Sequence, residues 1–142
     1  MYKKVFIDAN IFIDTNDKDR KTYNESLNIL KYLTINKIEI YTSCDLITTI
    51  YYILSKKSKT NALNGIEQIN KICKVIEFSN KEVSQTCELM KQNKNYKDLE
   101  DTLQCVLAKK LSCELIISND KNFYSDEIRL MSSEIFCKEY IK

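Results

Sequence analysis

Four short segments carry acids and polar groups whose types and spacing could do chemistry: Phe6-Ile7-Asp8-Ala9-Asn10, Asp45, Asp98-Leu99-Glu100-Asp101 and Ser118-Asn119-Asp120. Carboxylates converging on one cleft repel each other unless a cation sits between them. A hard cation such as Mg²⁺ takes oxygen ligands, needs few direct protein contacts and keeps several waters. Such a site turns water into a nucleophile and stabilises charge on a phosphate. The chain has no histidine, which removes Ser-His-Asp and Cys-His catalysis and any histidine general base. Its six cysteines, Cys44, Cys73, Cys87, Cys105, Cys113 and Cys137, include no Cys-x-x-Cys pair, so a zinc site would need four scattered thiolates. Most fall in apolar segments and read as small buried residues.

Each acid alone also has a plainer use. Asp8, at the end of an apolar run, could cap a helix or make a turn. Asp98, Glu100 and Asp101 open a helix, where the dipole favours negative charge. Asp120 in Asn-Asp-Lys-Asn fits turn chemistry, and Asp45 fits the first turn of a helix. The combination carries more than the parts if the fold brings the segments to one place.

The pattern of apolar residues predicts that it does. Lys4 to Ala9 reads as a buried strand ending in an acid. Thr22-x-x-Glu25 has the form of a capping box ahead of a helix with Tyr23, Leu27, Leu30 and Leu33 at helical spacing. Ile38 to Thr42 is a second strand, and Ser43 caps a helix carrying Leu46, Ile50, Ile53 and Leu54. Thr60 opens a further helix that holds Leu63, Ile66, Ile69 and Cys73; Val75 to Phe78 is a third strand. Asn80 to Lys94 is amphipathic through Val83, Cys87 and Met90, and Asp98 to Leu111 is a helix with an acidic start and an apolar body. Leu115 to Ser118 is the fourth strand, Ile128 to Met131 a possible fifth, and Glu134 to Ile141 a closing helix. Such alternation predicts an α/β fold with a parallel sheet covered on both faces. In such sheets ligands bind beyond the carboxyl ends of the strands. Asp8 ends the first strand and Asp120 follows the fourth by two residues.

The chain of 142 residues fits a single domain, residues 1–142. With 44% hydrophobic and 30% charged residues it has an ordinary globular balance. Net charge is +2, and Arg20 and Arg129 are the only arginines, so lysine supplies nearly all the positive charge. Lysine suits loose phosphate contacts better than bidentate base reading. With Gly65 as the one glycine and no proline, glycine-rich phosphate loops of the P-loop and dinucleotide-binding kinds are excluded. No stretch reads as a signal or membrane segment, so the expected location is the reducing cytoplasm.

Val5-Phe6-Ile7-Asp8-Ala9-Asn10-Ile11-Phe12-Ile13-Asp14 resembles the opening of PIN domains, the nuclease fold of VapC-type toxins. Asp98-Leu99-Glu100-Asp101-Thr102-Leu103-Gln104, with Ala108, resembles their D-x-E-D-x-x-Q segment, and Ile117 to Phe123 their T-x-[DN]-x-x-[DF] segment. Ile50-Tyr51-Tyr52-Ile53-Leu54 is similar to the middle helix of one toxin-like PIN subgroup, and Met131 to Ile141 to the usual closing strand and helix. The three motifs stand in order along the whole chain.

The resemblance implies a three-layer α/β/α fold around a mostly parallel sheet of four to five strands. It also implies Mg²⁺ or Mn²⁺ dependence, hydrolysis of RNA phosphodiester bonds, a homodimer and, for a toxin, an antitoxin partner. Position by position, Asp8, Asp101 and Asp120 match the metal-binding and catalytic acids. Glu100 and Asp98 are neighbours of that set, Asn10 and Ser118 match polar positions that hold it in place, and Asp45 is a supporting acid. Thr49 stands where many PIN nucleases carry a glutamate. The leading reading is a metal-dependent endoribonuclease, the toxin of a type II toxin–antitoxin pair. The alternative is a catalytically weak PIN-like module that binds RNA or protein. A phosphoryl-accepting signalling domain ranks third, because Asn10 stands where the haloacid-dehalogenase type wants a second aspartate and Asp8 has no adjacent acid of the receiver type.

Overall fold

Val5, Phe6 and Ile7 are fully buried, and so are Leu115, Ile116 and Ile117. Runs of consecutive buried residues mark strands covered on both faces, as in parallel sheets flanked by helices. The computed structural model describes residues 1–141, so Lys142, the end of the expected domain, lies outside the described residues. In chain order the elements are β1 (Lys4–Ile7), α1 (Ala9–Thr15), α2 (Tyr23–Ile35), β2 (Glu39–Ser43), α3 (Cys44–Leu54), α4 (Lys59–Ile72), β3 (Cys73–Ile76), α5 (Asn80–Gln92), α6 (Leu99–Lys110), β4 (Leu115–Ile117), β5 (Arg129–Met131) and α7 (Ser133–Tyr140).

The strands form one sheet in the order β3-β2-β1-β4-β5, and every neighbouring pair is parallel. All carboxyl ends therefore share one edge. Ile7 pairs with Ile117, and Ile117 with Met131. Beyond those pairs the ladder continues: Asp8 N–H donates to Ile117 O at 3.0 Å, and Ser118 N–H donates to Met131 O at 3.0 Å. Among the described residues seven helices flank the sheet in a three-layer α/β/α arrangement. α5 packs along α6, while α1 packs on α2 and α3, α3 on α4, and α2 on α7.

The chain enters β2 and β4, at the other edge, through left-handed residues that are not glycine, Lys37 (φ 55°) and Ser112 (φ 61°). Each ends a helix with a paired closure. Lys37 N–H donates to Thr34 O and Ile38 N–H to Leu33 O; Ser112 N–H donates to Lys109 O and Cys113 N–H to Ala108 O. Those bonds satisfy carbonyls left free at a helix end.

Several local expectations change. β1 stops at Ile7, and Asp8 is the N-cap of α1, a helix not anticipated in that stretch. Thr22 makes no cap bond; its hydroxyl goes instead to Asp14. Ser43 precedes α3 without a side-chain cap bond, because its hydroxyl donates to Asp45. The cap of α4 is Ser58, two residues before Thr60, and Cys73 belongs to β3. In α5 the buried residues are Glu82 and Thr86, whereas Val83 and Cys87 are exposed. Glu82 closes a capping box with Ser79 and lies 3.7 Å from Lys110 of α6, which turns the polar side of α5 inwards. Three cysteines are buried, Cys44 and Cys87 are exposed, and Cys137 is half-buried.

Candidate active site

Asp8 leaves β1 and caps α1, so one carboxylate serves both the sheet edge and a helix start. Its Oδ1 accepts from Ala9 N–H at 2.7 Å. Its Oδ2 accepts from the Ser118 hydroxyl at 2.6 Å and from Asn10 Nδ2 at 3.1 Å. Asn10 Nδ2 also lies 3.3 Å from Ser118 Oγ. Adjacent strands β1 and β4 thus place Asp8 and Ser118, both buried, against each other. Ser118 Oγ in turn accepts from Asp120 N–H at 3.1 Å, and Asp120 Oδ1 accepts from Asn122 N–H at 2.9 Å. Asp120 is exposed and closes a short turn, which fixes its place just past β4.

The remaining acids ride on helices. Asp98 is the N-cap of α6, and its Oδ1 accepts from Asp101 N–H at 2.9 Å. Glu100 and Asp101 occupy the first turn of α6, and Asp45 the first turn of α3, where its Oδ1 accepts from Ser43 Oγ at 2.6 Å.

Electrostatics ties these segments together. Burial pushes the Asp8 carboxyl up and the Asp120 charge adds to that, while bonds from Ser118 and Ala9 and the nearby Gln104 amide oppose it. Asp101 is pushed up to about 7 by burial first, then by the charges of Asp98, Asp8, Asp120 and Glu100. Glu100 is raised by partial burial and then by Asp45, Asp8 and Asp98. Asp8, Asp101 and Asp120 therefore share one negative field with Glu100 and Asp98. Asp45 joins that field through Glu100, which its charge raises. A cleft of about 420 Å³ lined by Lys81, Tyr96, Cys105 and Lys110 holds none of these acids.

The family model for the PIN domain matches residues 4–122. The chain belongs to the PIN-domain family. Among curated relatives of this PIN domain, Ribonuclease VapC1 of Aquifex aeolicus (strain VF5) is 47% identical over 138 residues, which make up 97% of this chain and 96% of that protein. Two solved structures share the fold at low identity. VapBC2 from Rickettsia felis, bound to a DNA fragment from its promoter, has a TM-score of 0.69 at 20% identity, covering 91% of this chain and 98% of that one. DNA-bound VapBC from Salmonella typhimurium has a TM-score of 0.68 at 15% identity, covering 92% and 98%.

Two residues inside the quoted motifs of this PIN domain were given no role by the sequence reading. Asp14 is buried, and its carboxylate collects Arg20 Nε at 2.6 Å, Thr22 Oγ1 at 2.5 Å, Ser26 Oγ at 3.0 Å and Asn119 Nδ2 at 3.2 Å. Asn119 links this hub to the acids. Its N–H donates to Asn10 Oδ1 at 3.0 Å, and its Oδ1 accepts from Ser133 N–H and Ser133 Oγ. The second is Gln104, fully buried on α6, whose amide atoms have no hydrogen-bond partner among the described residues. Leaving a buried polar group unpaired costs about 1–3 kcal/mol. A lone acid inside an apolar run and an amide in an apolar helix body were the available signals for the two.

The donor chemistry fits a hydrated hard cation. Carboxylates come from separate segments, and burial first, then their mutual repulsion, raises Asp101 and Glu100. Among the described residues no three acidic, cysteine or histidine side chains close around one point as a ready cage. An open set of oxygen donors suits Mg²⁺ or Mn²⁺, which retain waters, better than zinc, which wants a closed nitrogen and sulfur shell.

Proposed function

We propose that this chain is a metal-dependent endoribonuclease, one PIN domain spanning residues 1–142 and the toxin of a type II toxin–antitoxin pair. The observation that carries the reading is the gathering of Asp8, Asp101 and Asp120 at the carboxyl edge of the sheet, where burial first and the neighbouring acids second push Asp101 up to about 7. The 47% identity to Ribonuclease VapC1 supports RNA as the substrate, and cleavage of RNA fits the cytoplasm. The VapBC structures support an antitoxin protein as partner, and the family resemblance adds a homodimer as the working form. No helix among the described residues is long and apolar enough to cross a membrane.

Asp8, Asp101 and Asp120 would hold Mg²⁺ or Mn²⁺, which when bound supplies charge neutralisation on the phosphate and a more acidic water. Ser118 and Asn10 hold the Asp8 carboxylate in one orientation. The Asp120 turn keeps the third acid beside them. Asp98 fixes the start of α6 and so the position of Asp101. Glu100 and Asp45 add negative charge at the rim.

Purified protein is tested against structured RNAs with Mg²⁺, Mn²⁺ or chelator. Cleavage is expected with either cation and none with chelator. Asp8→Asn preserves the shape of the cap and is expected to keep the fold by circular dichroism while losing cleavage. A cation at about 100 times its Kd should add about 2.7 kcal/mol of stability to the wild type. Cleavage that survives chelator or Asp8→Asn overturns the metal-dependent reading, and RNA binding without cleavage leaves the binding-module alternative.

A further inference from the structure

The acids fall into two halves that no side-chain hydrogen bond among the described residues joins. Asp8 and Asp120 belong to the half built by β1 and β4, knitted by Ser118 and Asn10. Asp98, Glu100 and Asp101 ride on α6, and the one bond their side chains accept lies within its first turn. A cation shared between halves needs their separation held to about 0.5 Å.

Gln104 is placed to hold it. It follows Asp101 by three residues, so the two share a face of α6. Its amide stands beside the Asp8 carboxylate. The other groups that do so, Ala9, Asn10 and Ser118, come from α1 and β4; Gln104 alone comes from α6. A carboxylate offers about four acceptor sites. Three are taken by Ala9, Asn10 and Ser118, which leaves capacity on Oδ1. Meanwhile the Gln104 amide, with no exposure, has no bond of ordinary length and angle among the described residues. A donor without a partner and an acceptor with spare capacity thus lie beside each other, one from each half.

We infer that Gln104 is a positioning residue: its amide ties α6 to Asp8 and sets the gap across which the two halves of the acid cluster share a divalent cation. The inference rests on the reading of these acids as a cation site. The amide, buried and without a bond of ordinary geometry among the described residues, is a polar group held at a cost. On cation binding it becomes the tie that keeps Asp101 and Asp8 at the required separation. Residues that orient metal ligands in this way typically cost 10–100-fold in affinity or activity when replaced.

The test uses Gln104→Met and Gln104→Leu, which keep the bulk and remove the amide. Mn²⁺ is titrated into full-length wild type and variants by calorimetry, with thermal melts in chelator alongside. Both variants are expected to melt at or above the wild-type temperature in chelator, because replacing an unsatisfied amide by an apolar group is neutral or stabilising. Their Mn²⁺ affinity is expected to fall about 10–100-fold. Stability and affinity moving in opposite directions is an outcome that a merely structural glutamine does not give. Unchanged Mn²⁺ affinity overturns the inference, as does a lower melting temperature in chelator or failure of both variants to fold, which would make the amide a structural requirement. If the wild type itself binds no Mn²⁺, the reading of the cation site fails first and is recognised separately.

Discussion

Asp101 carries the largest consequence at the scale of a single residue. Its carboxyl is raised from 3.8 to about 7 in the folded chain by burial and four neighbouring acids. Between those values the folded state binds a proton that the unfolded state has released. The stabilising contribution is therefore complete below the unfolded pKa and is lost as pH rises through about 7. Glu100, also raised, acts in the same direction. Cation-free protein should melt progressively lower between weakly acidic and neutral pH. Asp101→Asn should flatten that profile and melt above the wild type at neutral pH. Thermal melts in chelator across this range check it, and parallel profiles for the two proteins would refute it. Because metal ligands must be deprotonated, cation affinity should weaken over the same range as pH falls.

At the scale of elements, Asn119 is the side chain that ties the loop after β4 to α1 and α7. Asn119 bonds with Asp14 and Thr22 on one side, Ser133 of α7 on another, and through its N–H with Asn10. Ser118 and Asp120 flank it in sequence. Asn119→Ala should cost about 1–3 kcal/mol, the penalty of unpaired buried groups, and should lower the cleavage rate at saturating RNA while leaving KM nearly unchanged. Thr22→Val removes a different donor from Asp14 and leaves the Asn119 bonds to Asn10 and Ser133 intact. It should destabilise comparably and keep cleavage. Urea melts and saturated cleavage rates of both variants decide the matter, and equal loss of cleavage in the two would show only a general structural effect. The same contrast explains what the sequence made legible. β1 and β4 were readable because strands covered on both faces become unbroken apolar runs, and the acids because they stand at the ends of such runs or helices. α1 was not, since Asp8 served as strand end and helix cap at once. Thr22 had the spacing of a cap, yet a buried carboxylate eight residues earlier competed for its hydroxyl and won. Gln104 and Asn119 act through partners remote in sequence, and no local pattern records such partners.

Across the whole molecule, chemistry and backbone strain occupy opposite ends of the sheet. The acids gather at the carboxyl edge, while Lys37 and Ser112 turn the chain into β2 and β4 at the amino edge in left-handed conformations. An ordinary residue in that conformation costs roughly 1–2 kcal/mol. Glycine removes that cost but gives back about 0.5–1 kcal/mol through its freer unfolded chain. Ser112→Gly and Lys37→Gly should each gain about 0.5–1 kcal/mol, since the paired closures they complete use only backbone atoms. Distant sites add, so the double variant should melt roughly 3–6 °C higher at this chain length, with RNA turnover unchanged. A melting temperature that stays put, or turnover that drops, would show the two ends to be mechanically coupled. Otherwise heat resistance and catalytic speed are independently adjustable dials in this protein, and the first can be turned at two positions on the edge opposite the acids.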